Sequence, residues 1–243
     1  MPKNKISIID DRGYNQGFKE TVSSRKRMER RADWMIDEMN AGVGKSILEI
    51  GCGTGYLSYY IAKKTGMKVV GTDLCKPFIE EATRNYDLPN LSYNTLDFNE
   101  APENVHENFD YIIGNGILHH LYYNLNSSLI TLKKLLNTKG KIIFMEPNIY
   151  NPYVATIFKN KGFRKWARLE PDEMAFSKKF IEEKLRETGF ENIKVKYKDF
   201  LLPGIPALLI KPSIAIGNFL EKTPLRSISQ SIFISAQKIT GYI

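Results

Sequence analysis

The stretch LEIGCGTG, residues 48–55, decides the fold. A short apolar run ends in an acid, Glu49, and glycines then fall at every second position, at Gly51, Gly53 and Gly55. Such a run reads as a buried strand that ends, turns sharply and restarts as a helix. Glycine permits that turn and allows another molecule to approach the backbone with no Cβ in the way. Eighteen residues beyond Gly55, a second apolar run, KVVGT, delivers another acid, Asp73. Two strand ends with an acid at each place a polar edge on a parallel sheet.

The glycine spacing separates two classes of ligand. A dinucleotide fingerprint needs G-x-G-x-x-G. Counted from Gly51, its third glycine falls on residue 56, which is Tyr56. The pattern here is G-x-G-x-G, with Glu49 ahead of it and an acid placed at the next strand end to grip ribose hydroxyls. Together these features resemble motif I and its partners in the class I S-adenosylmethionine (SAM)-dependent methyltransferases. The resemblance covers roughly residues 30–145, with a final strand near 230–238.

The resemblance implies a set of cofactor contacts. Glu49 organises the loop, through water or backbone contacts to the methionine part of SAM. The N–H groups around Gly51, Cys52, Gly53 and Gly55 face the methionine carboxylate, where a helix N-terminus favours an anion. Asp73 takes the ribose hydroxyls and Leu74 packs on adenine. Asp97, in LDFNE, accepts from the adenine amino group, and the N–H of Phe98 meets a ring nitrogen. Asn115 and Gly116 approach the SAM amino group. Structural readings stand beside these: Asp73 as the N-cap of the next helix, and Asp97 with Glu100 as a capping box. The implied product is S-adenosylhomocysteine (SAH), and no metal is expected. Among the three histidines, His106 falls in a polar loop, so they form no metal cluster.

Composition sets the outer bounds. The chain has 243 residues, 42% hydrophobic, with a net charge of +8 and a mean hydropathy of −0.32. That suits a globular α/β protein. Cys52 and Cys75 give no disulfide framework, and the N-terminal MPKNKISIID has no apolar core of a signal peptide, so a reducing cytoplasm is expected. Basic residues cluster in SRKRMERR, residues 24–31, and in KNKGFRKWAR, residues 159–168. A solvated helix face is the default reading of both. An anionic substrate, an anionic membrane surface and nucleic acid remain as alternatives.

Strands alternate with helices along the chain. A helix over 20–40 shows Met28, Ala32, Met35, Ile36 and Met39 at helical spacing. SILEI, MKVVGT, LSYNTLD, FDYIIGN and GKIIFMEP read as five strands, with helices after the first, second and fourth. A helix at 177–188 precedes strand-like NIKVKYK, and residues 230–237 supply the last strand. The alternation predicts a mostly parallel sheet with helices on both faces, and the resemblance implies that it is Rossmann-like, seven-stranded and closed by an antiparallel final hairpin. The expected organisation is one domain over 1–243, with a helical cap at 1–44, a SAM-binding core at 45–147 and an acceptor-side region at 148–243. Within that region, 199–229 is an insertion. Its apolar stretch FLLPGIPALLIKPSIAIG, residues 200–217, is too broken by proline and glycine to span a bilayer. It is expected to bury Leu201, Leu202, Leu208, Leu209 and Ile210, as a cap over the sheet edge in preference to a membrane contact.

The expected activity is methyl transfer from SAM to oxygen or nitrogen of a small molecule, with an apolar or lipid-like metabolite among the candidates. A catalytically silent SAM-binding subunit is the alternative. GNGIL at the strand-four end lacks the Asn/Asp-Pro-Pro-aromatic string of amino-methylating DNA enzymes, so DNA is not an expected partner. His119 and His120 are the candidate bases, though on a helix adjacent side chains point about 100° apart and cannot serve one spot together. Tyr14, Glu146, Asn148, Tyr150, Tyr153 and Trp166 are the candidate walls of the acceptor pocket.

Overall fold

The structure is a computed structural model and describes residues 21–39, 42, 44–97 and 108–239. Tyr14, Phe98, Glu100 and His106 lie outside the described residues.

Seven strands, β1 (Ser46–Ile50), β2 (Lys68–Asp73), β3 (Leu91–Thr95), β4 (Phe109–Asn115), β5 (Leu136–Pro147), β6 (Phe190–Lys198) and β7 (Ser231–Lys238), form one sheet. Their order is β3-β2-β1-β4-β5-β7-β6. β7 runs antiparallel to both β5 and β6, and the other pairings are parallel. The expected architecture and closing hairpin are therefore what the chain adopts. The strand order reverses between β1 and β4, and a crevice opens at the carboxyl ends of the strands beside such a reversal. Gly51, Asp73 and Asn115 sit at those ends.

Alternation along the strands divides the core into two layers. Leu48, Ile50, Ile112, Ile142, Phe144, Ile232 and Ile234 face one way, onto α4 (Leu125–Leu135) and α7 (Lys178–Glu187). Ile47, Val69, Tyr111, Ile113, Ile143, Met145 and Phe233 face the other way, onto α1 (Val22–Glu38) and α2 (Tyr56–Thr65). Ile112 and Ile113 are fully buried on opposite faces. Truncating either to alanine costs about 2–5 kcal/mol, because the close-packed surroundings cannot collapse onto the gap. α1 forms where the periodicity placed it, with Ala32, Met35 and Met39 buried. A capping box of Thr21 and Ser24 starts it.

Where the sequence pattern fades after Pro147, two short helices form, α5 (Pro152–Lys159) and α6 (Lys161–Trp166). Asn151 and Asn160 cap them through side-chain oxygens. Between β6 and β7 the structure adds α8 (Ala207–Leu220) and a 3-10 turn at Pro224–Ile228. The stretch, read as too broken to span a bilayer, thus still holds a helix of 14 residues. Pro212 lies inside α8. The carbonyl that it deprives of a partner belongs to Leu208, whose residue is 86% exposed, so water can serve it. Burial is corrected. Leu201 and Ile210 are buried, but Leu202, Leu208 and Leu209 are exposed, along with Ile216 and Phe219. No helix among the described residues is long and apolar enough to cross a membrane.

Candidate functional site

A cleft of about 490 Å³ opens along the carboxyl ends of the strands. Of the expected cofactor residues, Gly51, Gly53, Asp73, Leu74, Asp97, Asn115 and Gly116 line it. The glycine turn takes the form that its sequence requires. Gly53 has φ +53° and Gly55 +84°, and the helix α2 begins directly after. At Gly55 a Cβ would stand 2.7 Å from both Ala82 Cβ and Tyr93 Oη, so a side chain there is barred by packing as well as by φ.

Asp73 ties the two strand ends together. Its carboxylate accepts from the N–H of Gly53 at 2.8 Å and from the N–H of Cys75 at 2.9 Å. These two bonds fall on different oxygens, which fixes the carboxylate across the turn. Asp73 is not the N-cap of α3 (Lys76–Asn85), a position held by Cys75. Glu49 is placed differently from the cofactor residues. It is 1% exposed, does not line the cleft, and accepts from Ser58 Oγ on α2. Burial pushes its carboxyl up to about 8, the Ser58 bond opposing and the nearby Asp73 assisting. Its carbonyl accepts from Thr72 Oγ1 at 2.8 Å, which joins β1 to β2 below the loop. Cys52 and Gly55 likewise lie outside the lining, and Cys52 donates its N–H to Thr72 O.

The other end of the cleft holds the histidines. β4 runs into a 3-10 helix, Leu118–Asn124, so His119 and His120 sit on a tighter helix than expected. Both line the cleft. His119 is buried between two acids, with Nδ1 2.8 Å from Glu146 Oε2 and Nε2 2.9 Å from Glu173 Oε1. Burial alone would lower its pKa, but the two carboxylates outweigh that and hold it up at about 9. The imidazole is therefore cationic at neutral pH with both nitrogens engaged. It has no lone pair to take a proton, which corrects its expected place among the bases. His120 is only half-buried, with Nδ1 3.4 Å from Glu170 Oε2 and Nε2 3.8 Å from Glu173 Oε1.

Glu146 and Asn148 are structural anchors instead of acceptor walls. Glu146 is fully buried and accepts from the N–H groups of Ile117 and Leu118 at 3.0 and 2.8 Å, capping the start of the 3-10 helix. Asn148 is fully buried and donates Nδ2 to the carbonyls of Ser227 and Ser229. Tyr153 lines the cleft and is half-exposed, whereas Tyr150 and Trp166 are exposed outside its lining. The loop that carries Glu170 and Glu173 is fixed by Arg164, whose guanidinium donates to the carbonyls of Phe158, Glu170, Pro171 and Glu173.

Four residues at this end have no signature in the sequence. Arg27, Arg31, Gln230 and Ser231 line the cleft. Arg31, from the cluster expected to be a solvated face, is 7% exposed. Its Nε donates to Asp199 Oδ2 at 2.8 Å, Nη1 to Asn115 Oδ1 at 2.6 Å and Nη2 to Ser231 Oγ at 2.6 Å. Asp199 lies 168 positions away in the chain, which no local pattern could have linked. Burial raises and the two arginines lower the Asp199 carboxyl, leaving it at about 2, while burial and Arg27 lower Arg31 to about 10. Both remain charged at neutral pH. Glu173 and Arg164 also escaped notice. Each is defined by contacts made in the fold alone.

Comparison with known proteins bears on this arrangement. The methyltransferase-domain family matches residues 42–189. A tRNA U34 carboxymethyltransferase of Pseudomonas aeruginosa is 31% identical over 125 residues, 47% of this chain and 37% of that protein. A highly reducing polyketide synthase of Purpureocillium lilacinum is 32% identical over 112 residues, 41% of this chain and 4% of that protein. The chain thus spans well under half the length of either relative. The crystal structure of a SAM-dependent methyltransferase from Archaeoglobus fulgidus superposes with a TM-score of 0.62 at 18% identity, covering 88% of this chain and 94% of that one, a likeness of fold. With the family match covering more than half of its length, this chain belongs to the class I SAM-dependent methyltransferases.

Proposed function

We propose that the protein transfers a methyl group from SAM to an oxygen or nitrogen of a small-molecule acceptor. The observation that carries this reading is the Asp73 carboxylate held across the N–H of Gly53, beside a glycine turn that opens α2. Bound there, SAM supplies a methyl group already activated by its sulfonium. The chain has to align the partners and exclude water. In this reading Asp73 holds the ribose hydroxyls, Leu74 and Asp97 flank adenine, and the positive N-terminal end of α2 favours the methionine carboxylate. Asn115 and Gly116 border the methionine amino group. For a hydroxyl acceptor, His120 takes the proton and Glu170 orients its ring. His119 fixes Glu173 and the 3-10 helix by charge. An amine acceptor arrives neutral and needs no base. The chain acts as one domain in a reducing compartment, a reading supported by its two cysteines, both buried thiols.

The test is incubation of purified protein with methyl-labelled SAM and a metabolite extract, followed by mass identification of labelled products. A labelled small molecule that disappears in the Asp73→Ala variant supports the reading. Label transferred only to added tRNA would replace the small-molecule acceptor with a nucleic acid.

A second reading has one observation in its favour. Leu208, Ile216 and Phe219 lie exposed on α8, whose one charged residue is Lys211, and Lys222 and Arg226 follow it. An apolar face bordered by cations fits an anionic bilayer surface and a lipid-like acceptor. Vesicle sedimentation tests it. Binding to anionic but not neutral vesicles, lost in Leu208→Glu/Phe219→Glu protein that keeps its melting temperature, is the expected result. Absence of binding to both leaves a soluble acceptor.

A further inference from the structure

Three side chains at the β7 end of the cleft offer hydrogen-bond donors that are unused among the described residues. Arg27 spends Nε on Asp199 Oδ2 at 2.8 Å. Its two Nη groups have no hydrogen bond or ion pair among the described residues, and its side chain is 20% exposed in the cleft lining. Arg31 stands beside it, with its Nε, Nη1 and Nη2 each tied to a wall of the cleft. Of its five N–H donors, at least one on Nη1 remains beyond the bond to Asn115. Gln230 is 4% exposed, lines the cleft, and its Nε2 is buried with no partner among the described residues. A buried donor without an acceptor is costly, about 1–3 kcal/mol. These donors, two on α1 and one on the residue before β7, all belong to side chains that line the same cleft.

The local charge agrees. Two guanidiniums share the Asp199 carboxylate, so among the described residues their ion pairs leave one positive charge in excess. Glu146 also acts on Arg31, but it already caps the 3-10 helix and pairs with His119. Glu170 and Glu173 face the cleft from a different segment, next to the histidines. Arginine matches the two oxygens of a carboxylate or phosphate bidentately, and the Gln230 amide adds a third donor.

We propose that Arg27, Arg31 and Gln230 form an oxyanion subsite that holds a carboxylate or phosphate group of the methyl acceptor. The inference rests on the methyltransferase reading for the word acceptor. It places the group beyond the end of the cleft lined by Gly53, Asp73 and Asp97. Arg31 also holds Asn115 Oδ1, so the subsite is built into the tip of β4. An acceptor anchored there presents its nucleophilic atom at a fixed distance from its anionic group.

Inorganic phosphate titrated into SAH-saturated protein, followed calorimetrically, tests the subsite. Wild-type protein should bind phosphate, and Arg27→Gln should weaken that binding by about tenfold or more while SAH affinity stays within about twofold. Gln230→Leu, which keeps the volume and removes the donor, should weaken phosphate in the same direction and serves if Arg27→Gln does not fold. Phosphate bound equally by wild type and both variants, or not bound by wild type, overturns the proposal. So does a loss of SAH affinity in Arg27→Gln with that of 5′-methylthioadenosine unchanged. That analogue lacks the amino-acid part, so such a loss would give the arginines to the methionine carboxylate. If wild type fails to bind SAH, the methyltransferase reading falls by itself, and phosphate titrated into unliganded protein still decides the subsite.

Discussion

The two ends of the cleft are built by opposite means. The end over β1, β2 and β3 is made largely of backbone: a glycine turn, a helix start, and one carboxylate that grips the N–H of Gly53 and Cys75. Its parts lie within a short run of sequence, from Glu49 to Asp97. The end beside β4, β5 and β7 is made of charged side chains brought together from α1, the 3-10 helix, the loop after α6 and the bend before α8. Arg31 there meets Ser231 across 200 positions, and His119 meets Glu173 across 54. A backbone site accommodates the invariant part of a ligand pair, and a side-chain site can be rebuilt for another acceptor without disturbing the first. In the proposed function this division assigns specificity to the second end.

The largest effect expected is at the first end. Gly53→Val places a β-branched residue at φ +53° and blocks approach to the backbone, so calorimetry should show no SAM binding. Retained binding would mean that the loop is not the cofactor's seat. Asp73→Ala should weaken SAM by about 2–4 kcal/mol, since it removes charge-assisted bonds to the ribose and slackens the Gly53 turn. Both changes should leave phosphate binding at the other end intact.

At the second end, His120→Ala should lower turnover of a hydroxyl acceptor about 100-fold with SAM affinity nearly unchanged. Full turnover in that variant would leave alignment as the sole contribution of the chain. The smallest effect expected is on stability. His119 is held near 9 in the folded protein, above its ordinary value of 6.5, so folding takes up a proton there. The stabilisation is complete below about pH 6.5 and is lost as pH rises through about 9. Glu173 is held below the ordinary 4.5, and its contribution is present above that value and lost as pH falls. Glu49, pushed up to about 8, adds its own loss between about pH 4.5 and 8, so thermal melts should fall towards alkaline pH by about 2–4 °C for each kcal/mol lost, with the part above pH 8 belonging to His119. His119→Gln should flatten the alkaline limb. An alkaline limb of the same slope in that variant would place the titrating group elsewhere.

These contrasts explain what the sequence disclosed. The central strands were legible because burial on both faces writes continuous apolar runs, the glycine turn because φ admits few other residues there, and the closing hairpin only through the family resemblance. Glu146 and Asn148 were misplaced for a physical reason. Position at a strand end marks a residue as near the cleft but does not say whether its side chain points into it. Glu146 turns instead to cap the 3-10 helix, whose N–H groups need an acceptor. SRKRMERR hid Arg27 and Arg31, because a helix repeats every 3.6 residues and only the fold decides which cations face inward. α8 was missed because proline and glycine outweighed an apolar run that the structure leaves largely in water.

The most direct test of the central claim is a calorimetric titration of the wild-type protein with SAH, set against the same titrations of Asp73→Ala protein with SAH and of wild type with NAD. The account predicts a single saturable SAH site, weakened by about 2–4 kcal/mol in the variant, and no heat from NAD. SAH affinity unchanged by the substitution, or NAD binding at the same site, would contradict it.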